Sequence, residues 1–459
     1  MGKNILLIDV GSTFTKVTAV DVENKCVLGT ARSFTTVETD INFGLNNAVE
    51  ELKKKIGEIT FEEKYACSSA AGGLKMVAIG LVPDLTAKAA KMAALSAGAK
   101  LQKTFSYELS EEERDEIYAL KPDIVLLCGG TDGGNTECIL HNAQMLASIP
   151  LNIPVVVAGN KSVSGKVAKM LEESGKDVRL TENVMPEFNV LNIDPAQKKI
   201  RDVFLERIVR AKGMTHVEGL IKGILMPTPS AVLKCAALLS KGTKHQAGVG
   251  DLMVVDIGGA TTDVYSICDG RPLNPAVVLK GLPEPHDKRT VEGDLGARYS
   301  VHSVIEAFGF DEFCEKSGLT AEQVNHCLDA VTKDKSIIAA DPVQKTFDNC
   351  VGGCCAALAA RRHAGTIEKT FGMCGEIYVQ TGKDLKRVSH VIGTGGPIID
   401  ASEPLKILKE VSTPVPGVLL PKDPKFAVDK KYILAAMGIL SEYYPDVALE
   451  ILNKELEWN

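Results

Sequence analysis

The sequence predicts an α/β protein with a duplicated core, and three observations predict it. First, an apolar run ending in Asp and then Gly occurs twice, at residues 3–11 (KNILLIDVG) and 251–259 (DLMVVDIGG), each leading through hydroxyl residues into a second strand. Second, the region between them alternates fully apolar runs with helical stretches. That is the pattern of a parallel sheet with crossover helices. Third, there are 41 glycines in 459 residues, where average usage of about 7% gives roughly 32. A glycine surplus with only 5% aromatics points to tight turns and close backbone approaches.

The elements follow in order. Residues 3–9, Thr15–Asp21 and Cys26–Ser33 read as a β-meander, with Asn24 and Lys25 in the second turn. A helix is expected at about 41–56, and an Ala-rich one at about 85–100. Asp123–Cys128 is a buried strand entering the loop GGTDGG. A helix at 135–147, a strand at Pro154–Ala158 and helices at 163–174 and 196–212 complete that region. Residues 251–256 and Val264–Cys268 form the second hairpin. Helices are expected at 294–308, 321–332 and 349–363, a strand at Val388–Ile392, a Pro-rich connector at 413–424 and a last helical region at 429–453.

Composition excludes several classes of function. With 45% hydrophobic residues and 24% charged ones, the chain is not disordered. A net charge of −7 disfavours a nucleic-acid partner, because phosphate affinity rests on Lys and Arg. The first apolar run is broken by Asp9 and is too short for a secretory signal. No run reaches the ~20 apolar residues of a membrane span. A cytoplasmic protein with no membrane partner is expected. The 12 cysteines include no CxxC pair. Cys350, Cys354, Cys355 and His363 sit on one helical stretch, where packing is favoured over a metal site.

Three loops carry chemistry. In DVGSTFTK (9–16), a strand delivers Asp9 to a turn at Gly11. Backbone N–H groups of Gly11, Ser12 and Thr13 suit phosphate oxygens. Asp9 repels phosphate, so its role is Mg²⁺ through water, and Lys16 returns positive charge to the phosphates. DIGGATTDV (256–264) repeats the logic with Asp256, Gly258, Gly259, Ala260, Thr261, Thr262 and Asp263. VIGTGGPI (391–398) runs a strand into Gly393, Thr394, Gly395 and Gly396, where missing side chains admit a ribose or purine. Glu292 and Asp294 of EGDLGAR (292–298) are read either as nucleotide-facing or as a helix cap. CGGTDGGN (128–135) is read either as an anion site or as a plain crossover turn.

These motifs, in this order, resemble those of acetate and sugar kinases, heat-shock chaperone ATPases and actin. MPTPSAVLKCAALLSKG (226–242) is similar to the chaperone helix before the second phosphate motif. YILAAMGIL (432–440) resembles the returning helix after the adenosine motif. The resemblance implies an actin-like ATPase fold: two ribonuclease H-like domains facing an interdomain nucleotide cleft. It implies a first domain over 1–250 with an α/β insertion at about 100–225, a second over 251–425, and C-terminal helices over 426–459 returning to the first. It also implies MgATP, with Asp9 and Asp256 as catalytic residues and Asp9, Asp256 and Asp263 holding Mg²⁺ through water.

Over its whole length the chain further resembles the accessory proteins, or L components, of glutamate (methylaspartate) mutase. The segments that carry this are NILLIDVGSTFTKVTAV, CSSAAGGLKMVAIGL, DIVLLCGGTDGGNTE, GILMPTPSAVLK, VVDIGGATTDVYS, TVEGDLGARYS and VIGTGGPII. The resemblance implies a slow ATPase that reactivates or assembles an adenosylcobalamin-dependent mutase. The cobalamin string DxHxxG does not occur, so the mutase subunits are the expected partners and direct cobalamin binding is not. The rival readings are a small-molecule kinase of the same superfamily and an activator of a hydroxyacyl-CoA dehydratase, whose phosphate loop is close to 9–16.

Overall fold

A computed structural model describes residues 3–11, 14–35, 41–69, 74–211, 224–272, 274–335, 337, 341–372 and 375–459. The expected site residues Ser12 and Thr13, and part of the CSSAAGGLK segment, lie outside them. Packing divides the chain into two compact units. One collects Met1–Cys235, Gly281–Pro285 and Ala435–Ala448; the other collects Ala236–Lys280, His286–Leu434 and Leu449–Asn459.

In the first unit, β1 (Asn4–Val10), β2 (Phe14–Asp21) and β3 (Cys26–Phe34) form the expected antiparallel meander. The helix Ile41–Ile56 covers it, burying Leu45, Ala48 and Leu52 against Leu6, Ile8 and Val17. β4 (Glu63–Ser68) then adds parallel to β1.

The chain next builds a separate parallel sheet from β5 (Lys75–Gly80), β6 (Lys100–Ser106), β7 (Ile124–Leu127), β8 (Val155–Val157) and β9 (Val178–Leu180), in the order β6-β5-β7-β8-β9. It begins at Lys75, upstream of residue 100. Alternate residues supply two cores. Met76, Ala78, Leu126 and Val156 face the Ala-rich helix Lys88–Ser96. Val77, Ile79, Val125, Leu127 and Val155 face Ile139, Val167 and Leu171. The Ala-rich helix stops at Ser96 instead of continuing to 100, because Gly98 adopts a left-handed φ of 83° and turns the chain into β6.

The Gly-rich loop after β7 is a crossover turn locked from beneath. Buried Asn160 donates to the Gly134 and Asn135 carbonyls and accepts from the Gly133 N–H. Buried Asn183 donates to the Gly130 carbonyl and to Asp132. Gly130 has a φ of 70°, and a side chain there would strike the Asn135 carbonyl. Local backbone geometry therefore accounts for that glycine. The chain re-enters the first sheet with β10 (Ile224–Pro227), parallel to β4.

In the second unit, the mixed sheet is built from β11 (Leu252–Ile257) and β12 (Thr262–Ile267). After the short β13 (Val277–Lys280) comes β14 (Asp287–Glu292). β15 (Thr366–Gly372) and β16 (Gly375–Thr381) pair with β13 in a small sheet. β17 (His390–Thr394) and β18 (Lys425–Val428) complete the large one. The two large sheets share one plan: β3-β2-β1-β4-β10 and β14-β12-β11-β17-β18, three antiparallel strands followed by two parallel ones. This is the ribonuclease H-like topology, and its occurrence twice in one chain is the actin-like ATPase fold.

The helix Pro342–His363 buries Cys350, Cys354 and Cys355 beneath the second sheet. Burial pushes the Cys355 thiol up to about 12. Among the described residues, no group of three or more His, Cys, Asp or Glu could hold a metal ion. Nor is any described helix long and apolar enough to cross a membrane. The expected helix 294–308 begins only at Val301, after Ser300. The expected helical region 429–453 is two helices, Leu434–Leu440 and Pro445–Glu455. Proline at 445 opens the second because a first helical position needs no N–H partner.

One histidine makes the second unit pH-sensitive. His363 is fully buried between the Ser266 and Thr290 hydroxyls, 2.8 and 2.7 Å away. Burial, aided by Lys288 and Lys383, holds its pKa well below the usual 6.5. The unfolded chain takes up a proton that the fold refuses, so stability is full above about pH 6.5 and declines below it, by up to ~1.4 kcal/mol per pH unit. Melting temperatures at pH 7.5 and 5.5 should therefore diverge, and His363→Gln should shrink the gap.

Candidate functional site

Asp9 is the next-to-last residue of β1, and it is almost fully buried at 5% exposure. A buried carboxylate must be paired, and this one is. Lys16, directly opposite on β2, places its Nζ 3.3 Å from Oδ2. The Thr228 hydroxyl donates to Oδ1 at 2.6 Å, and the Cys67 thiol lies 3.4 Å from the same oxygen. Burial and the Asp9 charge push the Cys67 thiol well up, so it remains an S–H donor. The turn itself closes through the Gly11 N–H to the Phe14 carbonyl at 3.0 Å. A side chain on Gly11 would stand 2.6 Å from that carbonyl oxygen. Phe14 packs on Phe34 with ring centres 4.6 Å apart, and Arg32 lies over the Phe14 ring.

The second unit repeats the turn. The Gly258 N–H reaches the Thr261 carbonyl at 2.8 Å, again three residues on. Asp256 again stands near the end of the first strand of its sheet, now opposite Asp263 where the first unit has Lys16. The cation comes from the neighbouring strand instead. Arg289 of β14 donates to Asp263 Oδ1 through Nε at 2.8 Å and Nη2 at 2.7 Å. Both side chains are largely buried, beside Tyr265. Burial alone would lower the Arg289 pKa; the Asp263 charge and Tyr265 outweigh it and leave it raised.

The third loop meets the second within this unit. Thr394 pairs in register with Asp256. Gly395, at a φ of 94°, fits so closely that a side chain would overlap the Ile257 carbonyl and come within 2.8 Å of Asp256 Oδ1. Gly393 lies under Leu408. The Thr394 hydroxyl is buried and donates to Asp429 at 3.1 Å. Two other glycines are not required by the fold. Around Gly259 and Gly396 a methyl group would find nothing nearer than 3.6 and 3.7 Å, and neither residue has a left-handed φ.

The segment 292–300 forms a bracket for the second loop. Ala297 N–H donates to the Gly258 carbonyl, and those of Arg298 and Tyr299 to the Gly259 carbonyl. The Ser300 hydroxyl donates to the Ala260 carbonyl and the Thr262 hydroxyl to that of Leu295. Asp294 caps no helix. Arg362 grips it with both amino nitrogens and also takes Glu292, at 2.7–2.9 Å. That guanidinium holds the Asp294 carboxyl below its usual range. Exposed Tyr299 stands beside Gly259.

The structure thus gathers Asp9, Gly11 and Lys16 in one unit, and Asp256, Gly258–Thr261 and Gly393–Gly396 in the other. Sequence reasoning missed Cys67, Thr228, Arg289 and Asp429. One signal was present: KFAVD (425–429) is a third apolar run ending in Asp. Asp429 is buried, and it accepts from the Ile433 and Leu434 N–H groups at the start of the helix Leu434–Leu440.

Two ribonuclease H-like sheets, each carrying an Asp–x–Gly turn at the same place, define a protein of the actin-like ATPase fold class. Within it, the chain belongs to the MutL protein family, whose family model matches residues 5–456. It is 49% identical over 455 residues to protein MutL of Clostridium tetanomorphum, covering 98% of each chain. Solved structures similar to it include a xylulose kinase from Lactobacillus acidophilus, at 11% identity and a TM-score of 0.38, covering 100% of this chain and 93% of that one. A glycerol dehydratase reactivase matches at 11% identity and a TM-score of 0.36, covering 96% and 99%. The fold assignment rests on the two sheets themselves.

Proposed function

We propose that this protein binds and slowly hydrolyses MgATP, and that it reactivates or assembles an adenosylcobalamin-dependent mutase, glutamate (methylaspartate) mutase being the first client to test. The observation that carries the nucleotide reading is the repeated Asp–x–Gly turn, joined in the second unit by Gly395 against Asp256. Gly259 and Gly396 support it further. The fold tolerates a side chain at both, so bare backbone there suits close approach by a ligand. The family membership supports the accessory role.

In this reading, backbone N–H groups of Ser12 and Thr13 and of Gly259–Thr261 receive phosphate oxygens, while the Gly11 N–H, expected to join them, is taken by the Phe14 carbonyl. Lys16 adds a positive charge to the phosphates, and Gly396 lies against the ribose or base. Asp9 and Asp256 orient water, and one of them accepts the proton of the attacking water. Mg²⁺ would supply charge neutralisation on the phosphates, and Asp9 or Asp256 would hold it through water. Asp263 is left out of this metal set, because Arg289 already neutralises it. A partner that prefers one nucleotide state is then gripped or released as the state changes.

The test is recovery of an inactivated mutase on adding this protein with ATP. Recovery that needs ATP and Mg²⁺ supports the proposal, and no recovery with the candidate mutases counts against it. A paired substitution tests the site. Gly259→Ala should leave the melting temperature unchanged but weaken nucleotide binding at least tenfold. Gly395→Ala should instead destabilise the second unit by about 2 kcal/mol, from left-handed strain and backbone overlap.

A further inference from the structure

The shortest hydrogen bond on Asp9 comes from a residue 219 positions away. Thr228 opens the helix Thr228–Lys241, directly after β10, and its hydroxyl is 2.6 Å from Asp9 Oδ1. It stands between Pro227 and Pro229, whose rings restrict the local backbone. The first turn of the helix is wedged as well. A side chain on Gly98 would stand 2.8 Å from both the Pro227 Cβ and the Ser230 Oγ, and one on Gly438 would overlap the Ala231 carbonyl. Nothing in helix propensity asks for such confinement. It fixes the backbone on either side of Thr228.

The two carboxylate oxygens of Asp9 consequently differ. Oδ1 holds the Thr228 hydroxyl, with the Cys67 thiol also on it. Oδ2 faces Lys16. We infer that Thr228 is a positioning residue: it pins Oδ1 so that Oδ2 is the oxygen presented to the hydrated cation of MgATP. Cys67 supports it from β4. The inference rests on the MgATP reading above and deepens it. It also gives a physical role to the flanking prolines of MPTPS, which no loop motif explains. The helix that Thr228 opens is the segment within which the chain passes from the first unit to the second, between Cys235 and Ala236.

The test is binding of a fluorescent ATP analogue to the full-length protein across a Mg²⁺ titration, and without metal in EDTA. Thr228→Val keeps the shape and removes the hydroxyl. It should raise the Mg²⁺ concentration at half-saturation about tenfold, the scale of a lost hydrogen bond to a charged group. Binding in EDTA should stay unchanged. Thr228→Ser restores the donor and should return within about threefold of wild type. Thr228→Ala serves as the second donor-less variant if the Val variant fails to fold.

An unchanged Mg²⁺ midpoint in the donor-less variants overturns the inference alone. So does an equal defect in Thr228→Ser, which would make the residue a packing element. If the wild-type protein shows no Mg²⁺-dependent binding of the analogue, the MgATP reading falls and this inference with it.

Discussion

Asp9→Asn should lower ATP turnover by about a thousandfold while leaving the fold intact. The amide is nearly isosteric, and its oxygen still accepts from Thr228 and Cys67. What is lost is the negative charge. Without it, the hydrated cation and the attacking water lose the group that orients them; general-base and electrostatic contributions of this kind span about 10²–10⁴ in rate. The same change leaves Lys16 without its counter-charge, in a place where its side chain is only 18% exposed. Stability should drop on the order of 2 kcal/mol, less than for a fully buried pair because some solvent reaches the ammonium. The double variant Asp9→Asn with Lys16→Met should recover that stability and no turnover. Steady-state ATPase rates and thermal melts on the three proteins measure both effects. Near-wild-type turnover in Asp9→Asn would remove Asp9 from the catalytic set.

The backbone plan was legible because it is written locally. β1, β2 and β3 alternate or run apolar between turn residues, and the helix Ile41–Ile56 carries its own periodicity, so all four stand at their expected places. Strands with weak patterns escaped. β6 (KLQKTFS) is mostly polar and lies at a sheet edge, and β9 is only three residues long. The Ala-rich helix ends before its alanines do, at Ser96, and only the φ of Gly98 shows where the chain turns.

The loops of the candidate site were legible for the same local reason: an Asp at the end of an apolar run followed by Gly needs no tertiary information. Their partners were not. Thr228 reaches Asp9 across 219 residues, and Cys67 reaches it across 58. Each comes from the end of a strand, or the start of a helix, whose place is set by sheet pairing. Likewise, DIGGATTDV puts Asp263 on the same face as Asp256, and nothing in the motif says that β14 will bring Arg289 to it. Opposite positions on the first two strands of each sheet thus carry unlike solutions to one problem. In the first unit Lys16 faces the first-strand carboxylate directly. In the second, an acidic residue stands there and recruits its cation from the third strand.

That difference predicts the largest loss of stability. Asp263→Asn should destabilise the second unit by about 3–5 kcal/mol, because it takes from the buried Arg289 the carboxylate that neutralises it. The guanidinium has no accessible neutral form, so a lower pKa gives no escape. Arg289→Met alone should cost less, since Asp263 is the less buried partner, its side chain 14% exposed against 5% for Arg289. Replacing the pair together, Asp263→Asn with Arg289→Met, should recover most of the stability, as apolar packing commonly matches a buried ion pair. The distinguishing readout is metal dependence. A residue that holds Mg²⁺ through water shifts the Mg²⁺ midpoint of nucleotide binding when neutralised; one that only balances a buried arginine lowers the melting temperature at every Mg²⁺ concentration. Melts and Mg²⁺ titrations of the double variant separate the two. A stable double variant with an unshifted midpoint assigns Asp263 to the ion pair, and a stable one with a raised midpoint returns it to the metal set.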